Sequence, residues 1–511
     1  MAFQKLAFVV LSCALFASSL PEPFVRFDAE SIQRPLQSTK ARIQKVVSHE
    51  DGPPTFENKT IYEAIKGDPR FTRLTRAIKF SDDIVDQLND SSSRVTFFAT
   101  PDWALRKPDE DTLQDLLRYS GDVMQAQPEM YDLSTAIHAY EELAAMESSH
   151  DDSEKKRRRK FLRMLIRVIL SYHIIPGEVS TQKLSEVSTY PTNLALRFAM
   201  HNEPQRIRVE SSLIPPSTTV NFYSKVVSAN TQTMNGLIHV VNRPLIPPIT
   251  AFRELYMAPT MFSIFTSAWQ RSGLTDALDL RWVHGKGDKK GHIEGTSVTT
   301  AFVPTNHAFE LLPKQLQYYL FSPFGAHTLK KLLQFHVIPD LSLHTGMCRA
   351  KSDSHNLTFM LLDYIYNATS RHEHSIPRVH RADGESYDDP LAQFLGEIVD
   401  TEEYSVSDGF SELISSVNIT APTLLRKHPL TVNILKFNVT LPFPGPRRPH
   451  HVVTRVYANG QRVAVPDVVA LNGAMHGMST LLDPRKMGHD NSEGDDWEDW
   501  EDWLPKWAME V

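Results

Sequence analysis

Between Ile61 and Leu88 apolar residues recur at helical intervals: Ile61, Ala64 and Ile65, then Phe71, Leu74, Ile78, Ile84, Val85 and Leu88. Such spacing predicts short helices with one face on a sheet. The period then changes. Thr96-Phe97-Phe98-Ala99 is a compact apolar run that breaks at Pro101 and predicts a buried strand, with Asp102 beyond it as the cap of a following helix. A leucine-rich amphipathic segment over residues 161–170 leads into Tyr172-His173-Ile174-Ile175-Pro176-Gly177. Loose alternation at 207–210 and 220–227 predicts strands that deliver the chain to Asn235-Gly236-Leu237-Ile238-His239-Val240-Val241. There Asn-Gly supplies the positive φ of a tight hairpin turn, and the β-branched run suits a buried closing strand.

From Phe252 the same succession of patterns restarts. Thr300-Ala301-Phe302-Val303-Pro304-Thr305-Asn306 matches the first strand, Phe335-His336-Val337-Ile338-Pro339-Asp340 the central motif, and Asn472-Gly473-Ala474-Met475-His476 the closing box. A histidine falls four residues after the asparagine in both closing boxes. Three motifs repeated in one order mean a duplicated domain.

Both halves resemble fasciclin-like domains. That family typically shows a Thr-Val-Phe-Ala-Pro-Thr-Asn-x-Ala-Phe box, a central Tyr-His and a closing Asn-Gly-x-Ile-His-Val-Ile-Asp box. The resemblance runs from about Thr55 to Lys486. The first copy departs from it with Thr100-Pro101 in place of Pro-Thr, and the second with Phe335 for Tyr and a degraded closing box at Met475-His476-Gly477. It implies an α+β fold of two tandem domains, each a wedge-like β-sandwich with packed helices. The first domain covers 55–250 with an insertion at about 106–160, and the second 251–486 with an insertion at about 342–430. It also implies adhesion or interaction in place of chemistry. In some animal members the region around the central Tyr-His is tied to cell-surface receptor recognition, which points here to Tyr172, His173 and, with Phe replacing Tyr, His336. Almost no linker separates the two units, so a fixed mutual orientation is expected.

The N-terminus suggests a route into the secretory pathway. Lys5 precedes an apolar run from Leu6 to Ala17, and Ala17-Ser18-Ser19 offers the small residues of a cleavage site, so 1–19 reads as a signal peptide and 20–54 as a flexible leader. The run is short for a membrane span. Six Asn-x-Ser/Thr triplets, at Asn58, Asn89, Asn356, Asn367, Asn418 and Asn438, fit glycosylation in the secretory pathway. Removing Cys13 with the signal peptide leaves Cys348 without an internal partner.

Charge is unevenly distributed. Lys155-Lys156-Arg157-Arg158-Arg159-Lys160 interrupts the first domain, and with a signal peptide it does not read as nuclear or nucleic-acid binding. A solvated face, peripheral contact with anionic lipid and a processing site all remain open. From Gly488 onward nine acids face one base, so the tail carries −8 and the rest of the chain +1. Within it Trp497, Trp500, Trp503 and Trp507 would share one face of a helix limited by Pro505. That stripe fits either docking on the chain's own surface or a groove on a partner.

Catalytic motifs are missing. There is no Gly-x-Ser-x-Gly elbow, no His-Glu-x-x-His helix and no dinucleotide fingerprint. Gly285 to Gly291 lacks the ending of a phosphate loop, and His372, His374 and His380 stand on a polar stretch without carboxylates at ligand spacing. No cofactor or metal is therefore expected. The repeated His173, His239, His336 and His476 sit in apolar surroundings and read as core histidines. The sequence thus predicts a non-enzymatic secretory-pathway glycoprotein, secreted or in the vacuole lumen, that binds protein or glycan. The alternative is a lumenal hydrolase with an unrecognised histidine and carboxylate set.

Overall fold

The computed structural model describes residues 56–105, 110–118, 132–145, 152–213, 216–283, 292–347, 411–425, 427–440, 450–485 and 497–510. The signal peptide, the leader, Asn356, Asn367, Cys348, the three loop histidines and the glycine-containing loop at 285–291 lie outside them.

The first domain opens with α1 (Ile61–Gly67), α2 (Thr72–Lys79) and α3 (Asp82–Asn89). Thr60 caps α1 in a capping box with Glu63. Then come β1 (Val95–Ala99), α4 (Glu110–Arg118), α5 (Leu133–Ala145), the long α6 (Asp152–Tyr172), β2 (Ile174–Pro176) and α7 (Thr181–Leu184). The domain closes with β3 (Thr189–Ala195), β4 (Pro204–Leu213), β5 (Pro216–Val220), β6 (Ser224–Thr233) and β7 (Gly236–Val241). The second domain has α8 (Ala251–Met257), α9 (Pro259–Arg271), a ribbon of β8 (Leu280–Val283) and β9 (His292–Gly295), and β10 (Thr299–Pro304). It continues with α10 (Asn306–Glu310), α11 (Lys314–Phe321), α12 (Ala326–Phe335) and β11 (Val337–Pro339). Next are β12 (Ser411–Pro422), β13 (Pro429–Thr440), β14 (His450–Ala458), β15 (Gln461–Ala470) and β16 (Gly473–Met478), and α13 (Trp500–Met509) comes last.

The two sheets have one topology. The order is β2-β1-β7-β6-β5-β4-β3 in the first and β11-β10-β16-β15-β14-β13-β12 in the second. In each, the first strand pairs in parallel with the closing strand, β1 with β7 and β10 with β16, and the other neighbours are antiparallel. Alternation along β1 and β10 separates two cores. Phe97 and Ala99 join the helices, whereas Phe98 packs with Tyr172, Ile207, Val220 and Val241. Ala301 and Val303 likewise face helices, and Phe302 meets Phe335, Ile419, Val432 and Met478. Irregular register in β6 and β15 coincides with left-handed residues, Asn230 at φ 57° and Asp467 at φ 61°, which turn each sheet back over its own core.

Several local expectations are corrected. Asp102 caps no helix directly after the strand, since residues 102–105 are turn and bend; it accepts instead from the backbone N–H of Thr72 and Arg73, capping α2. In the second copy Thr305 is the N-cap, accepting from Ala308 N at 3.3 Å. The run 220–227 is broken by a turn at Asn221 and Phe222, both at positive φ. Within 106–160, α4 and α5 bury Leu116, Leu133 and Ile137 in the first domain's helical core. Within 342–430, β12 is a full strand of the sheet, since Ile419 and Ala421 alternate into the core. Pro505 does not end the tail helix, which runs through it to Met509 with Leu504, Trp507 and Ala508 buried.

Candidate functional site

The central histidines are fixed from both sides of the ring. His173 donates from Nδ1 to the Ile169 carbonyl at 2.8 Å and accepts at Nε2 from Leu245 N at 2.9 Å. His336 repeats this with Leu332 at 2.7 Å and Leu482 at 3.0 Å. Both are wholly buried, and burial pushes each down to about 4, so they stay neutral. Beside His173, Tyr172 donates to the Arg206 carbonyl at 2.9 Å and accepts from Asn221 Nδ2 at 2.8 Å, and burial raises its phenol well above the ordinary value. The predicted contact residues Tyr172, His173 and His336 are therefore core pins; none reaches the surface.

The closing-box histidines hold the bends in the sheets. His239 accepts at Nδ1 from Asn230 N at 3.1 Å and donates from Nε2 to the Val179 carbonyl at 2.9 Å. Asn230 in turn accepts from Thr181 N and donates to Thr181 Oγ1, both at 2.9 Å. The second domain repeats the arrangement with a carboxylate. His476 accepts from Asp467 N at 3.3 Å and donates to the Leu343 carbonyl at 3.0 Å, while Asp467 accepts from Thr345 N at 2.9 Å and from the Thr345 hydroxyl.

That change of amide to carboxylate occurs at the domain boundary. Ser188 of the first domain donates its hydroxyl to Asp467. Around it Arg208 Nε donates to the Pro466 carbonyl at 3.2 Å, Gln205 Nε2 to the Leu471 carbonyl at 3.1 Å, and Met200 N to the Ser297 carbonyl at 2.9 Å. A Cβ at Gly346 would meet the Thr189 carbonyl oxygen at 2.5 Å, so the domains touch backbone to backbone there. Burial alone would raise the Asp467 carboxyl, but the neighbouring His476 and His344 and the hydroxyls of Ser188 and Thr345 hold it below its ordinary value. His344, 3.8 Å away and buried, is itself pushed down by desolvation and by Arg206.

Ser, His and Asp thus meet, but not as a catalytic relay. The Ser188 proton goes to the carboxylate, and both nitrogens of His476 are engaged by backbone groups. Among the described residues no group of three His, Cys, Asp or Glu is placed to hold a metal ion. The arrangement joins the two domains through hydrogen bonds.

The fasciclin-domain family model matches residues 144–247 and again 260–360, one match in each half. These are two fasciclin domains. Over 178 residues, 34% of this chain, the pair is 27% identical to stabilin-2 of Mus musculus, and over 176 residues 28% identical to stabilin-2 of Rattus norvegicus. Over 219 residues, 42% of the chain, it is 26% identical to the aurofusarin biosynthesis cluster protein S of Gibberella zeae. The aligned part spans 6%, 12% and 48% of those three proteins. A solved FAS1 domain pair from the insect cell adhesion molecule fasciclin I is matched over 82% of this chain and 99% of that one, at 15% identity and a TM-score of 0.27.

On the second fasciclin domain the tryptophan stripe docks against the chain itself. Trp497, Trp500 and Trp507 are buried and Trp503 half-buried. Trp500 packs on Tyr319, with ring centres 5.1 Å apart. Arg485 lies 4.1 Å over Trp503 and pairs with Asp499 at 2.8 Å. Lys331 donates to the Trp507 carbonyl at 2.7 Å and the Glu510 carbonyl at 2.5 Å, binding the last turn of α13 where its carbonyls lack helical partners. The periodicity had identified the face, but not the cations waiting for it.

The remaining candidates lie on or near the surface. Asn58 and Asn89 are exposed, Asn89 also accepting from Thr60 Oγ1 at 2.9 Å, whereas Asn418 and Asn438 are half-buried on β12 and β13. The basic run belongs to α6. No described helix is long and apolar enough to cross a membrane.

Proposed function

We propose that this fasciclin pair is a non-enzymatic glycoprotein of the secretory pathway that acts in adhesion, by protein or glycan contact, at the cell surface or in the vacuole lumen. One observation carries the reading: the four repeated histidines, the candidate general bases, spend both ring nitrogens on backbone groups, so these four serve the fold. Exposed Asn58 and Asn89 support passage through a glycosylating compartment. The test is fractionation of the untagged protein with and without deglycosylation, followed by saturable binding of the full chain to matrix or wall preparations. Recovery in the medium, wall or vacuole with a glycan shift and saturable binding is expected. A cytosolic protein without a glycan shift refutes the pathway, and failure to bind any preparation refutes adhesion.

The hydrolase alternative is tested by His239→Asn and His476→Asn. Altered turnover in a folded variant would favour it, and plain destabilisation the core role. The likeness to a biosynthesis cluster protein favours a second reading, an accessory that associates with biosynthetic enzymes, which predicts co-purification with them.

A further inference from the structure

The outer face of α6 carries a charge pattern that the fold does not use. Lys156, Lys160, Arg163 and Arg167 follow at intervals of four, three and four residues. At 3.6 residues per turn this gathers them within about 60° of arc along about 16 Å of helix. All four are exposed, with Arg157 and Met164 beside them. The helix cannot rotate them away, because Leu162, Leu165, Ile166 and Ile169 on the other side are locked into the helical core.

The stripe stands against local preference. Lys156 and Lys160, Arg159 and Arg163, and Arg163 and Arg167 are like charges one turn apart, an arrangement that weakens a helix. Compensation is sparse. Asp83 of α3 reaches Arg167 at 2.8 Å, and Arg163 donates to the Tyr140 hydroxyl at 3.2 Å. Among the described residues no carboxylate pairs with Lys156, Arg157 or Lys160. Conflicts of this kind between local preference and fold concentrate at functional sites.

We propose that this stripe is the binding site for a linear polyanionic glycan, a chain of sulfated, phosphorylated or uronic sugars lying along α6. The proposal deepens the interaction reading above and rests on it. A straight single-file row of cations suits a linear ligand, and its neighbouring charges rise by about 4.5–6 Å along the axis. Insertion into a bilayer is disfavoured, since an interfacial helix must turn its apolar face to the lipid and that of α6 is buried in protein. Met164 is the one large apolar side chain exposed on α6 among the described residues.

The full chain is applied to immobilised heparin, as the sulfated probe, and to neutral dextran, and eluted with salt. The wild type should pass through dextran and be held on heparin beyond about 0.15 M salt, where exposed charges are already strongly screened. Lys156→Gln, Lys160→Gln and Arg163→Gln combined should elute at no more than half the wild-type salt concentration with Tm unchanged or raised, because like-charge repulsion is relieved. Lys156→Arg with Lys160→Arg should elute with the wild type. If the triple variant does not fold, Lys156→Gln alone serves. Flow-through of the wild type on heparin, or co-elution of the neutralised variant with it, overturns the proposal. So does binding to phosphatidylserine vesicles without retention on heparin, which would assign the stripe to lipid. Matrix binding that survives in the triple variant would leave the adhesion reading standing while the stripe proposal fails.

Discussion

Replacing Asp467 by Asn and Ser188 by Ala, singly and together, measures one of the bonds that join the two domains. Asparagine is the right probe because the protein already uses it at the equivalent position. Asn230 holds Thr181 N and Thr181 Oγ1 at 2.9 Å and leaves its own N–H for His239. An amide at 467 can hold Thr345 in the same way, so the second domain should keep its local geometry. What it loses is the carboxylate to which Ser188 donates. A hydrogen bond to a charged group contributes about 1.5–3 kcal/mol. Each single variant should lose an amount in that range, and the double variant little more than either. Urea unfolding followed by tryptophan emission reads this from the second domain's side, since Trp269, Trp282 and the four tail tryptophans all follow the junction. Working at about pH 7.5 keeps the histidines neutral in folded and unfolded chains alike. Losses that add within about 0.5 kcal/mol would mean the two side chains do not interact and would refute the reasoning.

Acid should destabilise the pair. The buried imidazoles of His173 and His336 have folded pKa values pushed down to about 4, below the unfolded value, so their contribution is complete above about pH 6.5 and is lost as pH falls towards 4, by about 2 kcal/mol each near pH 5. Glu254, pushed up to about 7 by burial, has the opposite sign and offsets part of this; a Tm that does not fall between neutral pH and pH 5 would contradict the burial of the histidines. Gly473→Ala places a Cβ 1.8 Å from the Thr299 carbonyl oxygen at a φ of 143°, and should cost about 3 kcal/mol or more of unfolding free energy, read as a lower urea midpoint. Wild-type stability there would deny the close approach of β10 and β16. Trp500→Ala removes a large buried ring and should cost about 3–5 kcal/mol, with the tail becoming sensitive to protease, and an unchanged cleavage pattern would argue against docking.

The closing boxes and central histidines were legible because each carries its own physical requirement: a positive φ at Gly236 and Gly473, and a buried ring at His173 and His336. The tail stripe was legible as a face, though not as to what it would cover. Asp467 was not, since a proline followed by an aspartate is ordinarily a strand breaker, whereas here the strand bends at Asp467 and continues to Ala470. A signal did exist. Asn230 and Asp467 each stand nine residues before the closing histidine, and aligning the copies on that histidine brings an amide opposite a carboxylate. What no spacing could supply was Ser188, which comes from the other domain. Polarity also misled within 342–430, because β12 is half-buried along much of its length and alternates the polar Ser416, Asn418 and Thr420 with the core-facing Val417, Ile419 and Ala421.

Parallel pairing of the first and last strands sets the order in which this protein can be assembled. Val95 lies opposite Gly236, and Thr299 opposite Gly473, so neither sheet can be completed before its final hairpin has been synthesised. Pairings so remote along the chain form slowly, and the waiting strand is exposed to misassociation meanwhile. The second domain has the longer wait. By the time Asp467 is made, the first domain has had its whole sheet available for more than two hundred residues of synthesis, so Ser188 is already in place when its acceptor arrives. Synthesis from the N-terminus and docking of the domains therefore run in the same direction, with the first domain as the template on which the second is set.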